Sequence, residues 1–292
     1  MARGLAGVHP AVGFLFFFGA AALTMFFAHP AYLLASLALA CCYYFLLKGR
    51  GGLRFFFGML AFCLLVGLIN PLFSSRGERV LFTWLGGRPY TGEALFYGMT
   101  LGGMFLAVSL WFACYNQVMT GDKFTYLFGS RAPALSLVLC MALRFVPHFR
   151  GKARRIREGR RCIGKDPAGR RRGERMQAAV EILSALMSCA LEDAALTADS
   201  MNSRGYGSGP RTRFPRYAAK ARDGFLGGWL LVCLAGAAAC GAIGGAGTFG
   251  AGMPPFGAAA ALGLVFEGGF LAIPVILHGK EAWTWRILQS RI

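Results

Sequence analysis

An arginine and a glycine close a helical pattern in "MNSRGYGSGPRTRF" (201–214). A guanidinium carries five N–H donors in a fixed fork that matches carboxylates and carbonyls. A glycine takes up the left-handed backbone found just beyond a helix. Arg204, with Ser203 and Gly205 beside it, therefore fits two roles. One is an ordinary helix cap whose arginine faces solvent, favoured by the exposed carbonyls of the last turn. The other is a tip that bonds carboxylates or carbonyls of a partner, with Gly205 letting the partner's backbone come close. A second basic stretch, "RFVPHFRGKARRIREGRRCIG" (144–164), runs from Arg144 through Pro147 to Arg160, Arg161 and Gly164. It suits anionic lipid headgroups, at about 1 kcal/mol per basic residue near the surface, or docking of an acidic protein. RNA is disfavoured, because no aromatic platform is interleaved with the charges. Pro147 is expected to kink or restart the helix, since it removes a donor and clashes with the preceding turn.

Other chemistries find no residues to carry them. No "GxxxxGK[ST]" occurs, and the run "GAIGGAGTFGAG" has no lysine, so the chain is not expected to hydrolyse ATP. His9, His29, His148 and His278 are scattered near segment ends without metal-ligand spacing. Nine cysteines, an odd number without paired spacing, read as small buried hydrophobes. Neither a metal nor a cofactor is expected on this chain. Glu267 is the one clear acid inside an apolar segment. Such a residue marks either a transport path or a neutral group facing the bundle interior.

The elements that position these residues belong in a membrane. Hydrophobic residues make up 56% of the chain and charged ones 15%, well to the apolar side of a soluble domain. Segments 31–47, 53–69, 94–115, 225–246 and 256–277 are of a length to cross a bilayer, and 13–28 reaches that length only if its ends shift, since about 17 residues is the lower limit. The start, "MARGLAGVHPAVGFLFFFGA", reads as a first span and not as a cleaved signal. Residues 150–222 carry 18 Lys or Arg against 7 Asp or Glu, so the excess of basic residues places this region in the cytoplasm. An inside N-terminus then requires an even number of crossings before it, and 132–146 is read as a helix that does not cross fully. Six spans result, with the turn "FGAGMPP" outside. Gly98, Gly102 and Gly103, and Gly241, Gly244 and Gly245, permit close helix contact in lipid.

Within the polar region, 180–203 has helical period. Glu181, Ser184, Ser188, Glu192, Asp199 and Asn202 line one side; Ile182, Leu183, Leu186, Met187, Ala190, Leu196 and Met201 supply a broad apolar one. "GKDPAGRRRGER" (164–175) reads as a connector. Three regions follow: an N-terminal membrane region over 1–147, a cytosolic region over 148–222 and a membrane hairpin over 223–292 with a short tail.

In order and spacing the chain resembles the transmembrane T component of energy-coupling factor (ECF) transporters, the family that includes the cobalt transport permease. "INPLF" (69–73), with Asn70 and Pro71, resembles the family's Asn-Pro-Leu-Phe turn. "RGERVLF" and then "TGEALFYG" (91–98), with Glu93, resemble the stretch that follows it. "DKFTYLFG" and "ALRFVP", with Arg144 and Pro147, resemble the lead into the cytosolic helices, and "ADSMNSRGYGSGPRTRF" the second arginine motif. The resemblance implies an all-α, polytopic protein of the prokaryotic plasma membrane, with long amphipathic coupling helices before the last two spans. It implies two cytosolic ABC ATPase subunits, which bind the ATP and Mg, and one small membrane-embedded substrate-binding S component, with a vitamin or a transition-metal ion as cargo. Membrane lipid is a further partner; nucleic acid is not. Arg204, Ser203 and Gly205 would form the second ATPase contact. The first departs from pattern: Cys162, Ile163 and Gly164 stand where the family has Ala-Arg-Gly, leaving Arg160 or Arg161 to reach the groove from earlier positions. The alternatives are a membrane-anchored basic scaffold that recruits a protein or lipid, and a self-contained secondary transporter or channel.

Overall fold

A computed structural model describes residues 4–27, 29–73, 80–83, 89–129, 132–165, 172–209, 217, 220–243 and 257–289. In chain order its elements are α1 (Pro10–Phe26), α2 (Pro30–Lys48), α3 (Leu53–Phe73), β1 (Val80–Thr83), β2 (Pro89–Thr91) and α4 (Gly92–Val118). Then come α5 (Gly121–Phe128), α6 (Pro133–Cys162), α7 (Arg172–Ser203), α8 (Ala221–Ile243), α9 (Ala258–Leu271) and α10 (Ile273–Gln289). They divide into two compact units, Met1–Thr120 with Tyr217–Ile292, and Gly121–Arg216.

In the first unit the two His-Pro pairs start helices. The Nδ1 atoms of His9 and His29 accept from Ala11 N and Ala31 N at 3.3 Å, and Pro10 and Pro30 take the first helical position, where a missing N–H costs nothing. The core is aromatic: Phe16 stacks on Phe270 at 5.3 Å and meets Trp111 edge-on at 5.5 Å. Several buried polar groups within it are hydrogen-bonded. Trp111 Nε1 donates to Ser36 Oγ at 3.2 Å, Ser36 shares a 2.7 Å bond with Thr24, and Tyr32 donates to the Ala260 carbonyl at 2.7 Å. In hydrocarbon the alternative would be an unsatisfied group.

Helices α2 and α3 run in opposite senses along α4, with α2 meeting Gly103 through Leu33 and Trp111 through Ser36. The reversal lies at the 3-10 turn Gly49–Gly52, where Gly49 takes φ 54°. The α3–α4 contact is close. A Cβ on Gly98 would lie 2.6 Å from the Gly67 carbonyl oxygen and 2.7 Å from Asn70 Cβ; one on Gly102 would lie 2.6 Å from the Cys63 carbonyl oxygen. Asn70 and Pro71 sit within the last turn of α3 and do not form a turn of their own. Pro71 has no N–H to give the carbonyl four residues back, that of Gly67, and this is the carbonyl Gly98 approaches. At 98 and 102 the expected close helix contact is therefore observed, as it is at Gly241, where a Cβ would overlap the ring of Phe27. Gly244, Gly245 and the turn 249–255 lie outside the described residues. The strands β1 and β2 form an antiparallel pair with Phe82 opposite Tyr90, a small exception to an otherwise helical protein. Val, Phe, Tyr and Thr, which favour strands, supply it.

Four stretches are long and apolar enough to cross a membrane: Pro30–Phe73, Gly92–Val118, Ala134–Cys162 and Ala221–Ile243. A fifth arises if Ala258–Leu271 and Ile273–Thr284, bent by 41°, form one span. The chain is thus a helical, membrane-spanning bundle. Glu267, on α9, is fully buried, and neither carboxylate oxygen has a hydrogen-bond partner among the described residues. A buried polar group left unmatched costs about 1–3 kcal/mol. Glu267→Met, similar in length and without polar atoms, is therefore expected to leave the midpoint of thermal unfolding in detergent unchanged or higher. A fall of several degrees would mean that Glu267 has a partner.

The second unit contains α5, α6 and α7. Helix α6 is continuous over 30 residues and passes through Pro147 without a break, contrary to a restart there. Pro147 is exposed, and the loss of one donor leaves the rest of the hydrogen-bond ladder in place. Helix α7 has 32 residues and begins eight before position 180, so 172–175 of the expected connector is helical; 166–171 lie outside the described residues. Glu174 in the first turn and the helix formers of "ERMQAAV" favour this earlier start.

Candidate functional site

Helices α6 and α7 pack on each other and end in the same backbone device. At the end of α7, Tyr206 N donates to Met201 O at 3.1 Å and Gly205 N to Asn202 O at 2.9 Å, with Gly205 at φ 76°. At the end of α6, Lys165 N donates to Arg160 O at 2.9 Å and Gly164 N to Arg161 O at 3.0 Å, with Gly164 at φ 74°. Both are Schellman caps, in which a left-handed glycine folds two amides back onto orphan carbonyls. The caps put Gly164 in register with Gly205, Ile163 with Arg204 and Cys162 with Ser203.

The two tips differ in chemistry. Arg204 is exposed, and its side chain has no partner among the described residues. Ser203 Oγ donates to the Asp199 carbonyl at 2.8 Å, and Ser208 Oγ to that of Gly205 at 2.6 Å, so hydroxyls brace the turn on both sides of the arginine. At the other tip Ile163 is 68% exposed. Arg160 does not point from this tip as a free cation: its Nη2 lies 2.5 Å from Glu181 Oε2, and its side chain is only 17% exposed. Arg161 also has an interaction within the chain. Arg144 and Pro147 are exposed along α6.

A second set of bonds ties α6 to α7. Lys152 Nζ donates to Asp193 Oδ2 at 2.5 Å, and His148 Nε2 lies 3.4 Å from the same oxygen. The Lys152 hydrogen bond, above all, holds the Asp193 carboxyl below the usual carboxylate range. A carboxylate with a lowered pKa in the folded state contributes stability above its unfolded pKa, about 3.9. That contribution is lost as pH falls through the folded value. The α6–α7 pair is therefore expected to hold from neutral pH down to about pH 4 and to loosen below it. Asp193→Asn should reproduce the loosening at pH 7, read as faster amide exchange in α6 and α7 after correction for intrinsic rates. Equal protection in both proteins would refute the role given to Asp193.

On α7 the apolar side splits in two. Ile182, Leu186, Ala190 and Met201 are half-buried, whereas Met176, Val180, Leu183, Met187 and Leu191 form an exposed stripe at helical spacing. Glu93 lies in the first turn of α4, where an acid suits the positive end of the helix dipole. Thr91 caps that helix by accepting from Ala94 N at 3.4 Å. Asn70, Pro71 and Glu93 thus belong to the first unit, and Arg144, Pro147, Arg160, Arg161, Gly164, Ser203, Arg204 and Gly205 to the second. Among the described residues no group of three His, Cys, Asp or Glu is placed to hold a metal ion. Asp193 and Lys152 are brought together by a helix pairing that helical period within either segment does not reveal.

The family model described as CbiQ, cobalt transport protein, matches residues 5–215. No curated protein matches the chain. The matched stretch takes in α1 to α7, both helix ends included, and stops before α8. The chain therefore belongs to the CbiQ cobalt transport protein family, and is the non-catalytic, membrane-embedded T component of an ECF-type transporter in the inner membrane.

Proposed function

We propose that the chain links the closure of two cytosolic ABC ATPase subunits to one small membrane-embedded S component, and that Arg204 is a point of force transfer. ATP and Mg bind the ATPases, and the S component selects the cargo, a vitamin or a transition-metal ion. ATP-driven closure in one protein moves another only through contacts stiff enough to resist shear. A 32-residue helix, about 48 Å long at 1.5 Å per residue, with ion pairs to its neighbour, suits this better than a loop. The observation that carries the reading is the guanidinium of Arg204, without a partner among the described residues and projected by a braced cap at the end of that helix. Ser203 and Gly205 hold its direction. At the other tip Gly164 sets the cap, with Arg160 and Arg161 behind it.

The proposed arrangement has six spans. Counting the two antiparallel halves of Pro30–Phe73 separately, adding α1, joining α9 to α10 and leaving out Ala134–Cys162 as a helix that does not cross fully gives that number. The part of α6 beyond Pro147, with α7, then forms the amphipathic cytosolic region 148–222 between membrane regions 1–147 and 223–292. Asn70, Pro71 and Glu93 serve the membrane bundle as packing and capping residues. Purification of the tagged protein from its native membrane, with mass spectrometry of what accompanies it, tests the partners. Two nucleotide-binding subunits and one small hydrophobic protein are expected; the chain without any nucleotide-binding subunit would contradict the proposal.

A further inference from the structure

Residues 1–73 hold four Lys or Arg and no Asp or Glu, and three of the four, Lys48, Arg50 and Arg54, fall within seven residues where α2 turns into α3. All three are exposed, and none has an anionic partner among the described residues. The turn is braced. Tyr44 Oη donates to the Gly52 carbonyl at 3.1 Å, and a Cβ on Gly52 would lie 2.7 Å from the Tyr44 ring. Lys48 Nζ lies 5.5 Å from the ring centroids of both Tyr44 and Phe55, so cation–π attraction fixes the ammonium while its N–H donors stay unused. Arg50 follows within the 3-10 turn and Arg54 within the first turn of α3, one residue before Phe55. Like charges on so short a turn repel one another, and a bound anion relieves the repulsion. Among the described residues nothing comes within 4 Å of a Cβ placed on Gly49 or Gly51, which leaves the backbone open to an approaching group. Apolar surface adjoins the charge: Leu53, Phe57 and Leu64 are exposed along one face of α3, inside the apolar stretch Pro30–Phe73. An acidic protein surface would match the cations and leave this hydrocarbon uncovered. An anionic phospholipid matches both, with its phosphate at the turn and an acyl chain along α3.

We propose that the α2–α3 turn is a binding site for an anionic phospholipid, its phosphate held by Lys48, Arg50 and Arg54 and an acyl chain lying along Leu53, Phe57 and Leu64. The test uses the assembled transporter in nanodiscs of phosphatidylcholine that carry phosphatidylglycerol with a photoreactive headgroup, and maps the adducts by mass spectrometry after irradiation. Adducts within 46–57 are expected, removed by an excess of unlabelled phosphatidylglycerol and unchanged by added phosphatidylcholine. Lys48→Gln, Arg50→Gln and Arg54→Gln combined should lower labelling of the turn at least ten-fold, since each basic residue near an anionic surface is worth about five-fold. Arg50→Lys with Arg54→Lys keeps the charge and should lower it less than three-fold. Absence of adducts at the turn, or equal competition by the two lipids, would overturn the proposal, as would adducts confined to the basic run 150–161. Adducts that form at the turn of the isolated chain and vanish on assembly would overturn it too, and would give the turn to an acidic face of a partner protein. The competition is read on the unaltered protein, so a triple variant that fails to accumulate does not remove the test.

Discussion

Replacing Arg204 by Ala or Glu is expected to cut ATP-driven uptake at least ten-fold while the thermal unfolding midpoint of the purified protein stays where it was. The two halves of this result have separate causes. Arg204 is exposed and its side chain bonds nothing within the described residues, so its removal strips no contact from the fold; exposed substitutions of this kind usually shift stability by no more than about 0.5 kcal/mol. At a desolvated protein contact, truncating one member of a charged, hydrogen-bonded pair costs about 2–5 kcal/mol, part of it the penalty of stranding the other member. Glu should be worse than Ala, because it sets like charge against the carbonyls or carboxylates that the guanidinium would meet. Measuring ATP hydrolysis and uptake on the same preparations separates loss of coupling from loss of assembly. Uptake at the wild-type level in both variants would remove Arg204 from the mechanism.

Gly98→Leu should abolish accumulation of the folded protein in the membrane, and Gly98→Ala should lower its stability by about 1–3 kcal/mol, the usual cost of forcing atoms into a packed interior. Even one added carbon meets backbone: the Gly67 carbonyl oxygen at 2.6 Å and Asn70 Cβ at 2.7 Å. Neither can swing aside as the end of a flexible side chain would, so α3 and α4 must separate. Separation has consequences beyond lost dispersion. Pro71 denies the Gly67 carbonyl its helical hydrogen bond, and the close approach of α4 is what covers that oxygen. Gly102→Ala, 2.6 Å from the Cys63 carbonyl oxygen, should behave alike. Fluorescence-detected gel filtration of the three variants in mild detergent checks this; a wild-type profile for Gly98→Leu would show that α3 and α4 are not in the contact described.

Much of the bundle was legible because hydropathy over about 20 residues is set by the bilayer and hardly by neighbours. The helices α2, α3, α4 and α8 fall where apolar runs predict them, and the glycines at 98 and 102 mark a real contact. What escaped depends on partners in space. Pro147 looked like a break, yet α6 carries it on an exposed face. The residues 172–175 looked like a piece of a glycine-arginine connector, yet a favourable first turn joins them to α7. In the second unit, Arg204 was marked by its glycine. The binding of Arg160 to Glu181 joins residues 21 positions apart on different helices, and no local pattern encodes it. Ile163 stood out in the sequence only as a departure from an expected motif, and the cap shows that it holds the position in α6 that Arg204 holds in α7.

The most direct test is a cryo-electron microscopy structure of the assembled transporter in a lipid nanodisc with nucleotide bound. The end of α7 is expected on the cytosolic side, with the Arg204 guanidinium within hydrogen-bonding distance, about 2.7–3.2 Å, of an acceptor on an ATPase subunit. An α7 tip exposed to solvent, or lying on the far side of the membrane, would contradict it.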